Sequence, residues 1–68
     1  MPKFKTMYFY LATSCQLKEA AHLLKISIDK LLDKIYGVKP FRGEELPQLF
    51  YAFFEKRFTF NQMLDYGE

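Results

Sequence analysis

Residues 17–36 carry the pattern that most constrains the fold, because they read as two short amphipathic helices with a tight break between them. In the first half, apolar residues recur at i, i+3, i+4 and i+7, at Leu17, Ala20, Ala21 and Leu24, which is the spacing of one helix face. The second half repeats this spacing, at Ile28, Leu31, Leu32, Ile35 and Tyr36. Ser27 precedes the second pattern, and its hydroxyl can cap a helix N-terminus. The stretch therefore predicts two helices that meet at an angle across a three-residue turn.

The order of residues in this stretch also resembles a known motif. The pattern L-K-E-A-A-x-L-L-x-I-S-x-x-x-L-x-x-K-I is similar to the helix-turn-helix of Fis-type DNA-binding domains, over about 20 of the 68 residues. Lys25 stands at the turn position where that family usually has Gly. The resemblance implies that the second helix, residues 28–36, enters the major groove of double-stranded DNA, and that each chain is half of a symmetric dimer. It further implies that the motif is held together by Ala21, Leu24, Ile26, Leu31 and Ile35.

The segment before the motif, residues 3–13, is ambiguous between a helix and a strand. Phe4, Met7, Tyr8 and Leu11 fit a helical stripe, and a helix here would complete a three-helix core. A strand is the alternative, because the segment is rich in residues that favour strands. With the helix, Thr13-Ser14 would form a break and cap the next helix.

Two further helices are predicted after the motif, beyond a stop at Gly37, a residue that ends helices without strain. Glu44, Glu45 and Pro47 suit a first helical turn, and the apolar face that follows consists of Leu46, Leu49, Phe50, Phe53 and Phe54. Thr59 and Gln62 have the spacing of a capping box, which predicts a last helix from Phe60 to about Asp65 that ends at Gly67.

These patterns together predict an all-α fold. We expect one small domain over residues 1–68, a bundle of four or five helices that contains the helix-turn-helix. Its core should contain the inward residues of each periodic segment, namely Leu11, Ala21, Leu24, Ile26, Leu31, Ile35, Leu49, Phe50 and Phe53.

The distribution of charge fits DNA binding only weakly, since the net charge is +2. The basic excess lies in the half that carries the motif, as a DNA-binding surface requires. Ser27 and Lys30 would lie nearest the bases, while Asp29 or Asp33 could accept a hydrogen bond from cytosine. The predicted backbone contacts are Lys18, Lys25, Lys34, Lys39 and Arg42. The leading hypothesis is a small transcriptional regulator from a phage, plasmid or other mobile element.

The outward side of the second helix supports a different function. Ile28, Asp29, Leu32 and Asp33 would form a mixed aliphatic and acidic patch, which suits a protein better than a phosphate backbone. The alternative hypothesis is therefore a small phage-type inhibitor or adaptor that uses the same shape to bind a host protein.

The aromatic content points to an interface. Eight Phe and five Tyr residues are more aromatic surface than a small core readily hides. The predicted interface of a homodimer consists of Tyr51, which lies beside the stripe of the fourth helix, Phe54, at the end of that stripe, and Phe58, beyond it.

No catalytic or metal-binding set is evident in the sequence. One His and one Cys cannot form a zinc site, so we expect neither a metal nor another cofactor, and no enzymatic activity. Cys15 alone excludes an intrachain disulfide and favours a reducing compartment. No stretch approaches the length of a membrane span, and we expect a cytoplasmic protein.

Overall fold

The structure, a computed structural model, describes residues 2–66, and within that range it contains helices joined by turns and loops, without a strand. Its elements are α1 Lys5–Thr13, α2 Leu17–Leu24, α3 Ile28–Tyr36, α4 Glu45–Leu49, a π-helical segment Phe50–Phe54, and α5 Phe60–Met63. The prediction of an all-α fold with four or five helices is confirmed. The ambiguous residues 3–13 form a helix and not a strand.

Local capping explains the bounds of α2 and α3. The Ser27 hydroxyl accepts a hydrogen bond from the Lys30 N–H at 3.2 Å, and Gly37 ends α3 with a φ of 91°; both were predicted. Lys25 ends α2 in the left-handed region, with a φ of 61°. The predicted cap of α2 by Thr13-Ser14 is wrong, because the Ser14 hydroxyl turns back and donates to the Tyr10 carbonyl at 2.7 Å.

The π-helical segment changes which aromatic side chain reaches the core. Its hydrogen bonds span five residues, as from the Glu55 N–H to the Phe50 carbonyl at 2.8 Å. One extra residue per turn places Phe54 beneath Leu49, and both side chains are fully buried, whereas Phe53 is only half-buried. The prediction of Phe54 as an interface residue is therefore wrong, since it belongs to the core of the chain.

The core joins all the helical elements. Six predicted core residues are buried, namely Leu11, Ala21, Leu24, Leu31, Ile35 and Leu49. Three others, Ile26, Phe50 and Phe53, are half-buried and pack against this cluster. The apolar residues that complete the core without having been predicted there are Phe4, Met7, Ala20, Phe54, Met63 and Leu64.

The end of the described chain closes onto its beginning. The Asp65 carboxylate accepts hydrogen bonds from the Thr6 N–H at 3.2 Å and the Thr6 hydroxyl at 2.6 Å, so it caps the first turn of α1. The predicted capping box of α5 is confirmed. That helix ends at Met63, earlier than expected, and the predicted stop at Gly67 lies outside the described residues.

Candidate nucleic-acid interface

Five cations line one groove, which we call the basic groove. Its walls come from the α2–α3 turn, α3, the loop before α4, and the start of α4, and its volume is about 580 Å³. The charged residues that line it are Lys25, Lys30, Lys34, Lys39, Arg42, Glu44 and Glu45. This set has an excess of three positive charges, although the net charge of the whole chain is only +2. The positive charge of the molecule is therefore concentrated at this groove.

Lys34 is not a free cation of the groove. Its ammonium lies 2.6 and 2.8 Å from the two carboxylate oxygens of Glu45, and the two side chains are only 11% and 7% exposed. Lys34 as a phosphate contact stays a prediction, but in the structure the largely buried Glu45 carboxylate balances its charge. The side chains left to meet an anion are those of Lys25, Lys30, Lys39 and Arg42.

Glu45 also fixes the loop that carries Lys39 and Arg42. Its carboxylate accepts the Arg42 N–H at 2.9 Å. Burial alone would raise the pKa of Glu45, but the hydrogen bonds from Arg42 and Lys34 and their positive charges outweigh it and lower this pKa. The carboxylate is thus held ionised as the link between α3 and the loop. The sequence indicated Glu45 only as an acid suited to a helix N-terminus.

The remaining predicted DNA contacts lie elsewhere or serve another purpose. Lys18 lies outside the basic groove, in a shallow depression with Glu19, His22 and Phe53. The Ser27 hydroxyl is engaged as the cap of α3. Neither Asp29 nor Asp33 lines the groove. Of the nine predicted contacts, Lys25, Lys30, Lys39 and Arg42 line the groove without an ion pair to any other residue in the range 2–66, and Lys34 lines it as the partner of Glu45. The other four do not line the groove.

Two flanks of α3 differ in chemistry because successive turns of a helix place residues i and i+4 on one side. Lys30 and Lys34 line the basic groove. Ile28, Leu32 and Tyr36 form an apolar row on a different side, with Asp29 and Asp33 next to it. The same helix therefore presents a basic flank to the groove and an apolar-acidic flank away from it.

The apolar row of α3 continues onto α1 through edge-to-face contacts between aromatic rings. The Tyr36 ring meets the Tyr8 ring at a centroid distance of 5.7 Å, and Tyr8 meets Phe9 at 5.6 Å. Partial burial and the neighbouring Tyr8 raise the pKa of Tyr36. We call this surface, formed by Tyr8, Phe9, Ile28, Leu32 and Tyr36, the aromatic face; the sequence did not indicate it, because its halves lie on different helices.

The other predicted interface residues do not form one surface. Tyr51 is 67% exposed. Phe58 is half-buried and packs against the rings of Tyr10 and Phe54. Phe58 therefore belongs largely to the edge of the core, which leaves Tyr51 as the exposed member of the predicted set.

Two structural features are absent from the described part of the chain. None of the helices within residues 2–66 has the length and apolar character needed to cross a membrane. Within the same residues, no group of three or more His, Cys, Asp or Glu side chains could hold a metal ion.

Comparison with protein-family models, curated proteins and solved structures finds no significant match to this chain.

Proposed function

We propose that this protein is a small DNA-binding regulator of the kind that phages, plasmids and other mobile elements encode, acting in the cytoplasm. The observation that carries the proposal is the basic groove, which is lined by Lys25, Lys30, Lys39 and Arg42. Duplex DNA carries one negative charge per about 1.7 Å of its axis. The cations of the groove come from a turn, a helix and a loop. Because they are spread over three elements, they can contact successive phosphates along the DNA backbone.

The orientation of α3 follows from its two flanks. We expect the flank with Lys30 to approach the major groove, while Lys39 and Arg42 hold phosphates beside it. Asp29 and Asp33 do not line the basic groove, so they need not face the DNA. This arrangement relieves the electrostatic conflict that the acidic pair creates when the outward side of α3 is placed against the bases.

Protein binding is the second candidate function, and one observation favours it. Ile28 is 38% exposed, and half-buried Leu32 follows it on the same side of α3. An aliphatic row beside Asp29 and Asp33 suits a host protein with a basic and apolar surface. On this candidate function the chain is an inhibitor or adaptor that has no measurable affinity for DNA.

Fluorescence anisotropy with a labelled duplex at low salt separates the two candidate functions. Two variants each remove two negative charges: Asp29→Asn with Asp33→Asn on α3, and Glu19→Gln with Glu55→Gln at exposed positions outside the groove. We expect the parent chain to bind and both variants to gain affinity equally, because only the net charge changes. A much larger gain for the α3 pair would show that the acidic side faces DNA. If neither the parent nor the variants bind the duplex, the DNA-binding function is refuted and the protein-binding function is favoured.

A further inference from the structure

The aromatic face is an apolar surface that stays partly open to solvent in the described residues 2–66. Of the eight large apolar side chains that are substantially exposed in residues 2–66, three lie on this face: Phe9 at 56%, Tyr36 at 40% and Ile28 at 38%. The ring contacts through Tyr8 make the patch continuous from α1 to α3. Continuous patches rich in aromatic side chains mark protein interfaces on small proteins.

Charges of opposite sign border this face on its two edges. On α1, Lys5 lies one helical turn before Phe9 and is exposed. On α3, Asp29 and Asp33 follow Ile28 and Leu32 around the helix, on the side away from the basic groove. The face therefore has a cation at its α1 edge, apolar side chains in the middle, and carboxylates at its α3 edge.

We infer that the aromatic face binds a second copy of this chain in a two-fold symmetric dimer, with α1 of each copy against α3 of the other. In a two-fold interface each contact occurs twice with the roles exchanged. Lys5 of one copy then lies opposite Asp29 and Asp33 of its partner, and the reverse pair forms at the other end. The surface is complementary to itself in charge, which suppresses other partners and fixes the orientation.

The aromatic side chains supply the affinity and the charges supply the orientation. Tyr and Phe at the centre of an interface dominate binding energies, whereas an exposed ion pair contributes about 0.2–1 kcal/mol. The basic groove lies on the other flank of α3 and stays open in this dimer. The inference does not rest on DNA binding, because it concerns a different surface and is measured without DNA.

Sedimentation velocity of the full chain across a concentration series tests the inference. We expect a reversible monomer–dimer equilibrium for the parent. Phe9→Glu should weaken dimerisation at least about tenfold, because it places a carboxylate among apolar side chains and near the partner's acids. Tyr51→Glu is the matched control, since Tyr51 is also highly exposed but lies on the π-helical segment. It should leave the dimer unchanged.

Charge-reversal variants distinguish loss of the specific ion pairs of the dimer from general loss of solubility or of the fold. Lys5→Glu alone and Asp29→Lys alone should each impair self-association, because like charges then meet at both ends of the dimer. A mixture of the two variants should form a heterodimer as readily as the parent forms a homodimer. A parent chain that stays monomeric at every concentration, a dimer broken by Tyr51→Glu and not by Phe9→Glu, or a mixture without recovery would each overturn the inference.

Discussion

Replacement of Glu45 by Ala should lower the free energy of unfolding by more than a typical substitution at the surface of the protein does. The Glu45 carboxylate accepts three hydrogen bonds, two from the Lys34 ammonium and one from the Arg42 N–H. Its loss leaves the Lys34 ammonium in a largely buried position without a partner. Breaking a deeply buried ion pair in this way costs about 3–5 kcal/mol. Lys34 lines the groove and can turn its ammonium toward water, so we expect a loss of about 2–3 kcal/mol.

Urea denaturation followed by circular dichroism measures this loss directly. Glu44→Ala is the matched control, because Glu44 is the exposed neighbour on the same turn, and a surface change of this kind should alter stability by less than about 0.5 kcal/mol. The double change Lys34→Met with Glu45→Leu should recover much of the loss, since removing both charges leaves none buried and unpaired. A single Ala variant as stable as the control would refute the structural role of the pair.

The pH dependence of stability provides an independent check on the same carboxylate. The pKa of Glu45 is lower in the folded chain than its ordinary value of 4.5, so the folded state binds fewer protons than the unfolded state between these two values. The stabilisation is therefore fully present above pH 4.5 and is lost as the pH falls through the folded pKa. Glu45→Gln does not titrate and should show a shallower decline in acid. Equal acid slopes for the two chains would contradict this assignment.

Five further substitutions test the fold, and the effect of each on stability is measurable by the same urea denaturation. Phe54→Ala should cost about 3–5 kcal/mol, whereas Tyr51→Ala should cost less than about 0.5 kcal/mol; equal losses would refute the π-helical placement of the core ring. Asp65→Ala should cost about 1 kcal/mol by uncapping α1, and a neutral result would show that the cap is not formed in solution. Lys25→Gly should stabilise the fold by up to about 1 kcal/mol, because Gly adopts the left-handed conformation without strain. Gly37→Ala should destabilise the fold, because Ala is strained in the left-handed conformation of that position. Effects of the opposite sign would contradict the two backbone conformations.

Local signals in the sequence were sufficient for most of the helices. Ser27 and Gly37 act within a few residues of their own position, so their capping roles could be predicted without knowledge of the rest of the fold. The same holds for the capping box of α5. Hydrophobic periodicity placed Leu31 and Ile35 in the core, because α3 keeps regular α-helical geometry from end to end.

The π-helical segment shows where periodicity fails. The apolar stripe, projected with 3.6 residues per turn, included Phe50, Phe53 and Phe54, but only Phe50 and Phe53 were assigned to the core and Phe54 was assigned to an interface. The segment instead has hydrogen bonds over five residues, and the inward position moves to Phe54. A run of four aromatic residues among five, Phe50–Phe54, fits either geometry locally. Packing against the other helices decides between them, and a single sequence does not display that packing.

The cations that line the basic groove could be predicted from the sequence, but the ion pair between Lys34 and Glu45 could not. Lys25, Lys30, Lys39 and Arg42 come from segments near each other in the chain, and the helix pair brings them to one groove. The ion pair between Lys34 and Glu45 depends on how the loop before α4 and the packing of α4 on α2 bring Glu45 to Lys34, which no local pattern specifies. The aromatic face likewise depends on the contact between α1 and α3, so its residues were not singled out together.

The salt dependence of DNA binding shows whether the basic groove contacts DNA phosphates. Two double variants lose the same charge: Lys30→Ala with Lys39→Ala in the groove, and Lys18→Ala with Lys56→Ala at exposed positions outside it. Each phosphate contact adds about 0.9 to the slope of log affinity against log salt concentration. We predict that anisotropy titrations across a salt series show a slope reduced by somewhat under two for the groove variant and nearly unchanged for the control. Equal slopes in the two variants would contradict contact between the basic groove and DNA phosphates.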